Sequence, residues 1–326
     1  MKVFPAGVAT GYGFAVASIG LLILLGGAAA AAPPAGGPAA GGPAAGGQGP
    51  SPQDVLARTK PSDWRALDPQ NTLYLELASG RVVLELAPRF APRTIANIKT
   101  LVRQQYFDGL SIVCLQDNYV AQFGDPDGKR DLGAVAPTLA PEFWQRYTTT
   151  SEFNALPDRD VYAPQVGFID SWPVARDPKA HEQWLPHCYG MLGVGRDTAA
   201  DSGTGAELYV VIGHSPRQLD RNVTLVGRVV QGIEQISSLP RGTGNMGFYE
   251  KSEQYMPITT LRIAADLPPE QRTGLEVLRS DTPIFRDYVA SLRSRRTAWF
   301  VEPTSRIELC NVRIPVRRTA AAAALN

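Results

Sequence analysis

Residues 72–87 read TLYLELASGRVVLELA, two alternating apolar runs around Ser79-Gly80. Alternation of this kind, broken by a two-residue turn that contains glycine, predicts a β-hairpin. Leu73, Leu75 and Leu77 share one face of the first strand, and Val82, Leu84 and Leu86 share one face of the second. Glu76 and Glu85 fall on the opposite faces, which predicts a half-solvated strand pair. The chain then passes through Ala91-Pro92-Arg93-Thr94, with proline at a first helical turn. Ile95, Ile98, Leu101 and Val102 follow at helical spacing, so a helix should cap one end or face of the sheet.

Working outward, Asp108-Gly109 turns the chain into strand candidates at 110–115 and 120–123. Further apolar runs predict strands at 208–212, 224–229 and 258–264, with a short helix over 232–239. Between them, residues 126–189 are rich in Pro, Asp and scattered aromatics, with no long periodic segment, and read as a loop insertion. Six to eight short strands with two helices and no βαβ alternation predict a mainly β fold, an antiparallel barrel. Residues 267–326 read as a separate C-terminal α/β extension. It has a weakly amphipathic helix at 283–293 and an edge-strand pattern at 306–316, where Pro315 removes a donor.

The N-terminus has a different composition. Lys2 is the only charged residue before Asp54, and an apolar run over Phe14–Leu25 leads into GGAAAAA. Residues 1–32 therefore read as a signal peptide, and the expected location is periplasmic or secreted. The alternative is an uncleaved membrane anchor, although the apolar run is shorter than the roughly twenty residues a span requires. Residues 33–61 repeat a GGPAA-like unit, have little to bury and read as a flexible linker. Trp64 marks the edge of a folded body expected over 62–266. Across the chain, 32 Lys+Arg balance 31 Asp+Glu, which argues against a nucleic-acid partner held by a basic field. Three cysteines at 114, 188 and 310 without a CxxC pair exclude a zinc ribbon or a disulfide miniprotein. Whether Cys188 and Cys310 pair in an oxidising compartment stays open at this level.

Several motifs, in order, resemble the cyclophilin-type peptidyl-prolyl cis–trans isomerases, in a bacterial, exported form. Pro92-Arg93-Thr94-Ile95-Ala96-Asn97-Ile98 resembles the family's P-x-T-x-x-N-F. Tyr119-Val120-Ala121-Gln122-Phe123-Gly124-Asp125 resembles F-x-x-Q-G-G-D. Gly190-Met191-Leu192, Glu207–Ile212 and Leu219-Asp220 with Thr224–Val229 follow in the family's order. The resemblance covers roughly residues 70–265. It implies an eight-stranded antiparallel barrel capped by two helices, with no cofactor and no metal. It also implies isomerisation of X–Pro bonds, whose uncatalysed exchange takes tens to hundreds of seconds. The expected partners are proline-containing, unfolded or partly folded exported proteins whose folding is assisted. A membrane partner is expected only if the N-terminal segment is uncleaved, and the chain is expected to be a monomer.

The resemblance also assigns residues. Gln122 falls at the carbonyl-orienting glutamine. Tyr119, Val120, Tyr209 and Leu219 fall on the proline-binding wall, with Glu207 at a second glutamine position and Gly195 in the groove-lining segment. Cys114 falls where the family has its catalytic arginine. A thiol is a weak donor with no fixed charge, so the alternative is a catalytically weakened peptide-binding module or chaperone. Arg196, next to Gly195, is the candidate to supply a guanidinium from a neighbouring loop. Three other patterns lead elsewhere. Gly242–Gly247 matches GxGxxG but follows Pro240 rather than a strand, and reads as a surface turn. His187-Cys188 could hold a metal only if the fold gathered the other cysteines around it. Asp197 and Asp201 lack calcium-loop spacing.

Overall fold

A computed structural model describes residues 49–148 and 152–319. The signal-peptide reading, most of the linker and the final residues lie outside these. Among the described residues, no helix is long and apolar enough to cross a membrane.

Eight antiparallel strands close into a barrel. In chain order they are β1 (Thr72–Leu77), β2 (Gly80–Leu86), β3 (Ser111–Leu115), β4 (Val120–Gly124), β5 (Met191–Val194), β6 (Leu208–Val211), β7 (Leu225–Gln231) and β8 (Met256–Ile263). Around the barrel the order is β5-β6-β4-β3-β8-β1-β2-β7, and β7 pairs with β5 to close it. The hairpin forms as its alternation dictates: Leu73, Leu75, Leu77, Val82, Leu84 and Leu86 all point into the barrel core. Burying each such side chain contributes about 1.5–3 kcal/mol. The helix Pro92–Arg103 closes one opening with Ile95, Ile98, Leu101 and Val102, and the short helix Glu234–Ser237 adds Ile236.

The outer face of the hairpin is not half-solvated as its sequence predicts. A three-stranded sheet of Trp64–Ala66, Leu275–Leu278 and Val316–Arg318 lies in this part of the fold. Tyr74 and Val83 are buried against Leu275 and Val277. Glu85 is buried too, because two guanidiniums meet it: Arg228 at 2.7 Å and Arg65 at 2.7 Å. Burial alone would push the Glu85 carboxyl up, but Arg228 and Arg65 outweigh it and hold it below the usual range. A carboxylate with a depressed folded-state pKa adds stability that is present above its unfolded pKa and is lost as pH falls through its folded one. Urea midpoints should therefore fall as pH drops below about 4. The Glu85→Gln variant should lose about 3 kcal/mol or more at pH 7 and show a shallower acid slope. An acid slope equal to that of the wild type would show that Glu85 is not the group responsible.

Residues 126–189 fold further than their loop-like sequence predicts. They form a five-stranded antiparallel sheet, ordered Gln145–Arg146, Glu182–Trp184, Trp172–Asp177, Gln165–Ile169 and Asn154–Ala155. Its strands are two to six residues long. The two longest are buried along nearly their whole length and so show no alternation, and the other three have two or three residues each.

Nor is the C-terminal extension a separate appendage. Its helix Pro283–Ser294 packs Phe285 edge-on to Phe168 of the insertion, with ring centroids 5.1 Å apart. A disulfide joins Cys188 to Cys310. The predicted strand at 306–316 is irregular apart from one 3-10 turn at Leu309–Asn311, and pairing begins only at Val316. Inside the predicted linker, Ser51 and Asp54 form a capping box for a helix over Pro52–Leu56. Val55 of that helix is fully buried in the cluster that holds Phe285.

Candidate active site

In β4, Ala121 and Phe123 point into the barrel, so Val120 and Gln122 point out. Tyr209 of β6 and Cys114 of β3 are the ladder partners of Gln122 on either side. Cys114, Gln122 and Tyr209 thus form one outward row across three adjacent strands. An irregularity between Ile112 and Cys114 brings the cysteine into this row.

Gln122 donates from Nε2 to Glu207 Oε2 at 2.6 Å, and both side chains are buried. Gly195 packs on the pair, with a would-be Cβ 3.2 Å from Glu207 Cβ and 3.4 Å from Gln122 Nε2. Beside them opens a cleft of about 590 Å³, lined by Gln122, Glu207, Lys129, Asn245, Met246 and Tyr249 among others. A glutamine amide has two N–H donors. One holds Glu207, and the other can donate to a peptide carbonyl in the cleft.

Cys114 lies behind the wall of this cleft, 3% exposed, with Sγ 3.3 Å from the Met246 carbonyl. Burial pushes its thiol up to about 11. The covering segment is the GxGxxG stretch, which is therefore more than a surface turn. Gly247 has φ +79°, and a Cβ there would stand 2.5 Å from Gln116 Cα, so glycine lets the turn lie directly on the end of β3.

Tyr209 is fully buried and does not face the cleft. Its ring lies over the backbone of Gly193, where a Cβ would come within 2.2 Å of Cζ. Its hydroxyl is 2.8 Å from His187 Nε2, and His187 Nδ1 is 2.9 Å from Asp220 Oδ1. Asp220 accepts from Arg217 Nε at 2.6 Å, and Arg217 in turn holds Asp160. Burial pushes the Tyr209 hydroxyl well up. Burial would also raise Asp220, but His187 and Arg217 outweigh it and hold this carboxyl low.

The structure brings the wall residues Tyr119, Val120, Tyr209 and Leu219 into one apolar cluster. Trp172, Leu185 and Cys188 from the insertion complete that cluster, and only Gln122 and Glu207 of the predicted set reach the cleft. Removing the hydroxyl in Tyr209→Phe leaves a buried ring nitrogen of His187 without that partner. We expect a loss of about 1–3 kcal/mol in urea unfolding, and an unchanged midpoint would refute this contact.

Arg196 does not replace the missing arginine. Its Nε donates to the Asn222 carbonyl at 2.9 Å, and Nη1 donates to the carbonyls of Asp197 and Thr198. The guanidinium ties one loop to another and does not line the Gln122 cleft. His187 carries no ligand set, since Cys188 is in the disulfide and no His/Cys/Asp/Glu cluster fit for a metal exists among the described residues. Its structural role was invisible in sequence, because Tyr209 and Asp220 lie 22 and 33 positions away.

The family model for the cyclophilin-type peptidyl-prolyl cis–trans isomerases matches residues 72–263, the whole barrel from β1 to β8. The chain belongs to this family, and its activity class is that of a peptidyl-prolyl cis–trans isomerase. It is similar to a probable peptidyl-prolyl cis-trans isomerase of Brucella suis biovar 1, with 27% identity over 179 residues, 55% of this chain and 76% of the relative. It is also similar to the human peptidyl-prolyl cis-trans isomerase-like 1, with 26% identity over 214 residues, 65% of this chain and 99% of the relative. Among solved structures, cyclophilin AquaCyp293 from Hirschia baltica superposes with a TM-score of 0.61 at 26% identity. That match covers 75% of this chain and 91% of the other.

Proposed function

We propose that this isomerase acts on X–Pro bonds of exported proteins, in the periplasm or outside the cell, and so assists their folding. The observation that carries the reading is the Gln122 amide beside an open cleft in a barrel of this family. Rotation about the bond is opposed by amide conjugation, with a barrier of about 18–20 kcal/mol. In this reading Gln122 holds the carbonyl that flanks the proline, while the Met246 and Tyr249 side of the cleft receives apolar groups. Holding one end of the amide while the other turns lowers the entropy cost of reaching the twisted state. Two observations support export: the apolar run over Phe14–Leu25, and a disulfide of a kind that persists in oxidising compartments.

A second reading has an observation of its own. Cys114 is neutral, buried and engaged by Met246, so no guanidinium faces the prolyl nitrogen from β3. This favours a weakened enzyme that holds proline-containing segments as a chaperone. A refolding assay separates the two. With a secreted protein whose slow phase is proline-limited, acceleration in proportion to the amount of enzyme supports catalysis. Suppressed aggregation with an unchanged slow phase supports the holding role instead.

A further inference from the structure

Three of the large apolar side chains exposed on the described surface, Val161, Tyr162 and Tyr189, line one cleft of about 460 Å³. It shares no residue with the Gln122 cleft. Its walls come from the insertion, from the Gly213–Arg217 segment after β6, and from the extension between Glu308 and Arg313. The Cys188–Cys310 disulfide ties the insertion wall, next to Tyr189, covalently to the extension wall.

Its charges are asymmetric. Both oxygens of Asp160 accept from the buried Arg217, at 2.9 and 3.0 Å, and Glu308 lies 3.6 Å from the same guanidinium. The Asp160 carboxylate therefore faces inward to the arginine, while Glu308 stays half-exposed beside it. Arg159 and Arg313 are exposed on the rim, with His214 between the walls. The Arg313 guanidinium sits 6.0 Å from the Tyr189 ring centre. The opening thus offers two guanidiniums, which pair well with carboxylates, and the exposed sides of Tyr162 and Tyr189, whose other faces meet Arg217 and Arg313, for packing against another ring.

We infer that this cleft is a second polypeptide-binding site, for an acidic segment that carries an aromatic side chain. That the segment belongs to a client whose X–Pro bond is turned over at Gln122 rests on the function proposed above. The site itself does not.

Fluorescence anisotropy on the full chain tests it, with the fluorescein-labelled, proline-free peptide Glu-Asp-Phe-Tyr-Asp-Glu. Saturable binding is expected, weakened by added salt. Arg159→Glu and Arg313→Glu should each weaken it by about tenfold or more, and Tyr189→Ser should weaken it as well. Neither charge reversal should change isomerisation of a short X–Pro peptide. Equal binding of Lys-Lys-Phe-Tyr-Lys-Lys, or insensitivity to both charge reversals, would overturn the inference. So would loss of binding on Gln122→Ala. A chain that binds the acidic peptide but lacks isomerase activity would keep this site and reject the proposed function.

Discussion

Cys114→Arg should raise kcat/KM on a short X–Pro peptide by about one to two decades, the value of a charge-assisted hydrogen bond of roughly 1.5–3 kcal/mol. The cleft opens between Gln122 and Met246, the ladder partner and the hydrogen-bond partner of Cys114. Cys114 itself is buried behind Met246 and does not line the cleft, so an arginine at 114 reaches the cleft by displacing the Met246 turn. The gain should appear in kcat, because the bond to the prolyl nitrogen strengthens as conjugation is lost. Cys114→Lys, a point charge without the planar fork, should gain less. A folded Cys114→Arg variant with wild-type turnover would mean that a guanidinium from this strand does not limit the reaction.

Breaking the disulfide should be strongly damaging to the fold. Cys188 and Cys310 are separated by 122 positions, and closing a loop of that length restricts the unfolded chain by about 4–5 kcal/mol in the chain-entropy treatment. Cys310→Ser and Cys188→Ser should each lower the stability in urea by about 2–5 kcal/mol under oxidising conditions. Reduction of the wild type should bring it to the same midpoint. Wild-type midpoints in both variants would show that the two sulfurs are not bonded.

The hairpin was legible because its strands carry a two-residue period of large apolar side chains that fill the barrel core. Leu73, Leu75, Val82 and Leu84 announce the hairpin, and helical spacing announces Pro92–Arg103. The fifth strand, Met191–Val194, is four buried residues with glycine at 193, and it was visible only through its likeness to a family segment. What lies outside the barrel was not legible. Glu85 looks solvent-facing until Arg65 and Arg228 arrive from 20 and 143 positions away. The strands of the insertion have no period to read, and Val55 and Leu56 are one short apolar pair in a largely polar stretch. At the site, Gln122, Glu207 and Gly195 were found together as the motifs implied, because ladder register fixes neighbours across strands. Tyr209 was expected on the groove wall, but it is fully buried and bonded to His187 of the insertion, so it does not reach the cleft.

The most direct measurement is a coupled isomerisation assay on a short X–Pro peptide, comparing the wild type with Gln122→Ala. The wild type should speed exchange beyond its uncatalysed time of tens to hundreds of seconds. Gln122→Ala should lower that acceleration by about tenfold or more, since it removes the donor that holds the carbonyl. Acceleration that survives intact in a folded Gln122→Ala variant would contradict the account, because it would place the chemistry somewhere other than the cleft beside Gln122.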